Sequence, residues 1–98
     1  MSAFKQKVVK TASGKEYVLQ HPGVRAVTKI SDRIKNKHGV IMDERLCDEM
    51  LQHIVVEPKT TLESFDSYPE MIDVVRRAFA FISGQEDELE HDDQQAGS

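Results

Sequence analysis

Proline and glycine divide this chain so regularly that little room is left for anything but one hairpin and three helices. Of its three prolines and five glycines, Gly14, Pro22-Gly23, Gly39, Pro58 and Gly84 separate stretches with different hydrophobic periods. Glycine admits backbone conformations closed to other residues, and proline ends regular hydrogen bonding, so the two together mark element boundaries. No internal repeat links the pieces. At 98 residues the chain falls in the single-domain range.

The first piece reads as a hairpin. Phe4, Gln6, Val8 and Lys10 interleave with Lys5, Lys7 and Val9 in a blurred period of two. Thr11-Ala12-Ser13-Gly14 supplies turn chemistry, and Glu16-Tyr17-Val18-Leu19 is rich in strand formers. The pattern predicts a β-hairpin over residues 4–19 that must pack on the rest of the domain, because an isolated hairpin is marginal in water.

Three helical patterns follow. Val24, Val27, Ile30 and Ile34 recur at helical spacing, with Pro22 in the first turn, Lys35, Lys37 and His38 at the cationic end and Gly39 as terminator. A helix over residues 22–38 is predicted. Asp43 is the expected N-cap of a second, with Leu46, Met50 and Ile54 on one stripe and Cys47 and Leu51 beside it. That helix should end near residues 53–55, before Glu57-Pro58. Leu62 and Phe65 are expected to anchor the connection. Ser67-Tyr68-Pro69-Glu70 has the spacing of a reciprocal capping box. Behind it Met71, Val75, Ala78 and Ile82 share a face, Ile72 and Phe79 adjoin it, and Gly84 closes the helix. Val74 and Phe81 lie off that stripe, which marks them either as a groove for a partner helix or as core packed on the hairpin.

Charge is split along the chain. Residues 1–38 carry nine Lys/Arg against two acids, a balance of +7; residues 39–98 carry four against fifteen, a balance of −11, which together give the net −4. Such a field bears on association more than on fold. Arg25, Lys29 and Arg33, spaced i, i+4, i+8, form a basic stripe opposite the apolar face of the first helix. Residues 85–98 hold six acids and few aliphatics, too little apolar surface to offset ordering entropy, so a disordered acidic tail is expected there. The fold class predicted is α+β, mainly α: one globular domain over 1–84, then the tail.

The chemistry-bearing residues form no catalytic constellation. His21, His38, His53 and His91 are not spaced from one another or from Cys47 as metal ligands are. Cys47 and His53, six residues apart, fall on different faces of one helix without a third orienting group. Gly14-Lys15 lacks the rest of a phosphate-binding loop. No catalytic residue, cofactor or metal is expected, and the chain is read as a non-enzyme. A single cysteine, no basic-then-apolar leader and no run of about eighteen apolar residues lead to the expectation of a cytoplasmic protein without a membrane partner. Arg25, Lys29 and Arg33 suit an acidic partner segment. They also give an alternative, a small nucleic-acid-binding or regulatory protein using the helix over 22–38. The acidic whole, with pI near 5.5, disfavours nucleic acid.

Ser13-Gly14-Lys15-Glu16-Tyr17-Val18-Leu19-Gln20-His21-Pro22-Gly23-Val24-Arg25, with Asp32-Arg33, Lys37-His38-Gly39-Val40, Val55-Val56-Glu57-Pro58 and Phe65-Asp66, resembles the small tail assembly chaperones of tailed bacteriophages, in the branch of Gram-positive phages and prophages. Leu19-Gln20-His21-Pro22-Gly23 and Val55-Val56-Glu57-Pro58 are its most specific pieces. The resemblance implies a largely helical, non-enzymatic protein of the infected host's cytoplasm, absent from the mature virion. It implies binding to the tape-measure protein and to tail-tube protein during virion morphogenesis. It also implies a longer form made by ribosomal frameshifting, and stacking into spirals. An N-terminal hairpin departs from an all-helical pattern. Head-to-tail stacking of a positive end on a negative end, with Arg25, Lys29 and Arg33 meeting acids of the next copy, would produce such an open homo-oligomer. Val74 and Phe81 are the candidate partner groove.

Overall fold

The computed structural model describes residues 5–84. The acidic tail expected from residue 85 onward, and Phe4 at the start of the hairpin, lie outside them. The order is β1 (Gln6–Lys10), β2 (Glu16–Gln20), α1 (Val24–Arg33), α2 (Asp43–Glu49), a π-helical turn (Met50–Ile54), β3 (Val55–Glu57), a 3₁₀ turn (Leu62–Ser64) and α3 (Tyr68–Ser83). The architecture is α+β, a three-stranded antiparallel sheet in the order β1-β2-β3 with helices against one face.

The hairpin forms as its pattern predicts. Val8 pairs with Val18 and Val9 with Tyr17, and Gly14 takes φ 95° in the turn, a value that L side chains avoid. Val9, Tyr17 and Leu19 face the core, whereas Val8 is 59% exposed. Period-two alternation puts Lys7 on the same side of edge strand β1 as Val9.

The third strand is an addition to the predicted fold. Val55–Glu57 pairs with β2, Leu19 opposite Val55 and Val18 opposite Glu57, so that one step along β2 spans two along β3. This is a β-bulge. Three residues between a helical stripe and a proline are too few to show a period of their own. The preceding π-helical turn, closed by the Val55 amide donating to the Met50 carbonyl, admits one residue more than an α-turn. It brings Met50, Leu51, Ile54 and Val55 all into the core, each 0–1% exposed.

Helix α1 is shorter than predicted. It ends at Arg33 rather than residue 38, and Pro22 lies before its N-cap Gly23 rather than in its first turn. The cause is Asn36, whose side-chain oxygen accepts hydrogen bonds from the His38 and Val40 amides at 2.8 and 3.1 Å. A local turn thereby replaces the next helical one. Lys35 and Ile41 then bridge across this loop, and Lys35, Lys37 and His38 belong to it and not to the basic stripe. Val24, expected on the apolar face, is 79% exposed; Ile30 and Ile34 carry that face, with Val27 packed partly against it. Helix α2 begins one residue earlier than predicted, with Met42 rather than Asp43 as N-cap.

Helix α3 runs as expected from N-cap Ser67, whose hydroxyl accepts the Glu70 amide at 3.3 Å, to Gly84 at φ 75°. It packs on two sides, against α2 and the π-helical turn and against β2. Val74 is 0% and Phe81 4% exposed. Neither lines an open groove; both are core, because the sheet covers the flank of α3 outside its main stripe. Leu62 and Phe65 pack against that core from the connection, Phe65 stacking on Tyr17 with ring centroids 6.4 Å apart.

Candidate functional site: a basic helix face and a carboxylate clamp

The predicted cationic stripe is divided by the fold. Arg33 is committed within the molecule: its Nε and an Nη atom donate to the two Glu49 carboxylate oxygens at 3.0 and 2.7 Å. The paired geometry holds Glu49 below its ordinary range, through the Arg33 hydrogen bonds first, and raises the Arg33 guanidinium in turn. His53 Nε2 lies 3.5 Å from the same carboxylate. With Arg33 48% and Glu49 16% exposed, solvent weakens the pair, and its main effect is to fix α1 against α2.

Arg25 and Lys29 stay on the outer face of α1. With Val24 and Thr28 they line a shallow open depression. Thr28 turns its hydroxyl back to the Val24 carbonyl at 2.9 Å. No acidic residue occupies the first turn of this helix and no side chain caps it. His21 holds the approach, its Nδ1 accepting the Gly23 amide at 3.0 Å, and Gly23 itself takes φ 100°.

The strongest polar cluster was not among the predicted site residues. Glu70 does not reach back to its own helix terminus as the capping-box spacing predicts. Its carboxylate crosses to the hairpin, where it accepts from the Ser13 hydroxyl at 2.7 Å and the Tyr17 hydroxyl at 2.9 Å. The Thr11 hydroxyl lies 3.0 and 2.9 Å from its two oxygens. One turn on, Asp73 accepts the Ala12 amide at 2.8 Å and Arg77 Nε at 2.7 Å. The Ser13 bond, then those from Tyr17 and Thr11 and the Lys15 charge, outweigh partial burial and hold Glu70 below its usual 4.5. Burial works against ionising Asp73, but the Ala12 and Arg77 bonds outweigh it, and its carboxyl too is lowered. Tyr17 is pushed up to about 12 by burial first and then by the Glu70 bond and charge. Three hydroxyls at one hairpin end are the signal in the sequence that could have located an acceptor.

Two shallow depressions flank this clamp and share Lys15, Ser67 and Glu70. In chemistry the cluster is a fastener. Ser13 beside Glu70 has the outline of a nucleophile with a base, yet a carboxyl already below its ordinary range is a poor proton acceptor near neutrality. Cys47 is buried, its thiol raised by that burial and by the Asp43 and Asp48 charges, the reverse of an activated thiolate. Among the described residues no group of three or more His, Cys, Asp or Glu could hold a metal ion, and no helix is long and apolar enough to cross a membrane.

The two segments that carry the family resemblance meet in space. Leu19-Gln20-His21-Pro22-Gly23 runs from the end of β2 to the start of α1, and Val55-Val56-Glu57 is β3 beside it. Comparison with family models, curated proteins and solved structures gave no match.

Proposed function

We propose that this chain is a non-enzymatic tail assembly chaperone of a tailed bacteriophage. It binds the tape-measure protein, and tail-tube subunits, in the host cytoplasm during tail morphogenesis and is left out of the finished virion. The observation that carries the reading is the resemblance at residues 19–23 and 55–58, two segments that the fold brings together where Leu19 pairs with Val55. A compact α+β domain whose polar cluster serves as a fastener, and whose α1 turns Arg25 and Lys29 outward, is consistent with work done by binding. The alternative of nucleic-acid binding is weakened, because α1 stops at Arg33 and that arginine is already paired with Glu49. Two outward cations on one helix make a small phosphate footprint.

Co-expression with the tape-measure protein, followed by pull-down and sizing at low and high salt, tests the reading. A soluble complex holding many copies per tape-measure chain is the expected result. A tape-measure protein that stays insoluble and unbound, together with salt-dependent retention of this chain on DNA, would replace it with the nucleic-acid reading.

A further inference from the structure

Among the described residues Arg25 and Lys29 differ from Arg33 in pairing with no carboxylate, although the whole chain carries an excess of acid. A run of acid follows α3 in the sequence. Residues 86–93 read Glu-Asp-Glu-Leu-Glu-His-Asp-Asp, and one residue, Gln85, separates them from Gly84, where α3 ends. Phe81, one turn before that end, lies edge-on to His21 with ring centroids 5.9 Å apart, and Lys5 Nζ sits 5.7 Å from the Phe81 centroid. His21 in turn precedes α1 by three residues. The last turn of α3 therefore packs against the segment that leads into α1. Nine residues beyond Gly84 can span about 30 Å, twice the roughly 15 Å length of a ten-residue helix.

We infer that residues 86–93 dock in cis along the outer face of α1, with Leu89 on the exposed Val24 and the flanking carboxylates on Arg25, Lys29 and the acid-free first turn. The complementarity is in pattern as well as sign. One aliphatic side chain among acids meets one aliphatic side chain, 79% exposed, among cations. Acidic groups near a helix amino end also gain from its dipole. Arg33 limits the footprint, since Glu49 already occupies it. A docked tail would cover the face that an acidic partner would use, so that partner must displace it. The inference stands on this charge placement and does not depend on the chaperone reading.

The test uses the full-length chain. A spin label is attached at Gln94→Cys in a Cys47→Ala background, and amide signals are compared at about 20 mM and about 0.5 M salt, conditions that lengthen and shorten the screening distance. The expected result is selective broadening of Val24 to Lys29 at low salt, lost at high salt and lost in Arg25→Glu/Lys29→Glu. Uniform broadening, or broadening centred on β1 or on residues 35–38, would overturn the inference. So would broadening that arises only when labelled and isotope-enriched molecules are mixed, because the contact would then be between copies. A second measurement needs no label. In Glu86→Gln/Asp87→Asn/Glu88→Gln/Glu90→Gln the Arg25 and Lys29 amides should shift from their wild-type positions, and unchanged positions would refute docking.

Discussion

Replacing Glu70 with alanine is the sharpest test of how this domain is held together. The carboxylate accepts the Ser13 and Tyr17 hydroxyls and lies within bonding distance of Thr11. Ser13 is exposed and can turn to water. Thr11, 4% exposed, keeps the Ser13 hydroxyl at 3.0 Å and the Lys15 carbonyl at 3.4 Å, but Tyr17, 3% exposed, would be left short of an acceptor. A buried donor stranded this way costs about 1–3 kcal/mol, so Glu70→Ala should destabilise the domain by about 2 kcal/mol. With a urea dependence of about 1–1.5 kcal/mol per M for a small domain, the midpoint should fall by about 1.3–2 M. Tyr17→Phe alone should cost about 1 kcal/mol, and the double variant should lose less than the two single losses together. The same carboxyl gives a pH signature. Its folded value is depressed, so its contribution is present above the unfolded value near 4.5 and fades as pH falls through the lower folded value. Glu70→Gln should therefore flatten the acid limb of the stability curve below about pH 4.5. Tyr17 acts at the other end: raised to about 12, it sheds its contribution as pH climbs past the unfolded value of 10.0, and Tyr17→Phe should flatten that limb. A urea midpoint in Glu70→Ala within about 0.5 M of wild type would refute the clamp.

Three further expectations are independent of it. Phe81→Asp puts a carboxylate into the seam between α3, His21 and Lys5 and should unfold the domain, seen as loss of the cooperative thermal transition; a folded variant would return Phe81 to the role of a partner surface. Cys47 should react with a thiol reagent at neutral pH slower by about two orders of magnitude or more than in the urea-unfolded chain, since modification requires opening. Equal rates would mean that the α2–α3 seam is open. Gly84→Ala meets no neighbouring atom, so its only cost is the left-handed backbone, about 1 kcal/mol in chemical denaturation, and no loss would show that the helix end relaxes.

The hairpin, the three helices and the Ser67–Gly84 boundaries of α3 were legible in the sequence because each rests on local spacing and punctuation. What escaped depends on competition between distant groups. Lys35, Lys37, His38 and Gly39 look like a helix end, but Asn36 satisfies two backbone amides by itself and stops the helix sooner. Glu70 is spaced to cap its own helix, but three hydroxyls more than fifty residues away offer better partners. Val24 keeps the apolar period and is still exposed, as the first turn of α1 projects beyond the core. Of the candidate site residues, Arg25 and Lys29 stand outward as read, Arg33 is paired internally, and Val74 and Phe81 are core. Period alone does not say which face of a helix a sheet will cover.

The margin of the sheet has a consequence for life at high concentration. Among the described residues β1 pairs only with β2, and the outer side of such an edge strand is a template on which a further strand could grow. Lys7, on the core-side face with Val9, guards it: a strand added there would extend the interior across an ammonium group. Exchanging Lys7 for valine would complete an apolar strip from the centre of the sheet to its rim. The domain would gain strand propensity and lose its protection against growing, copy upon copy, into a fibril.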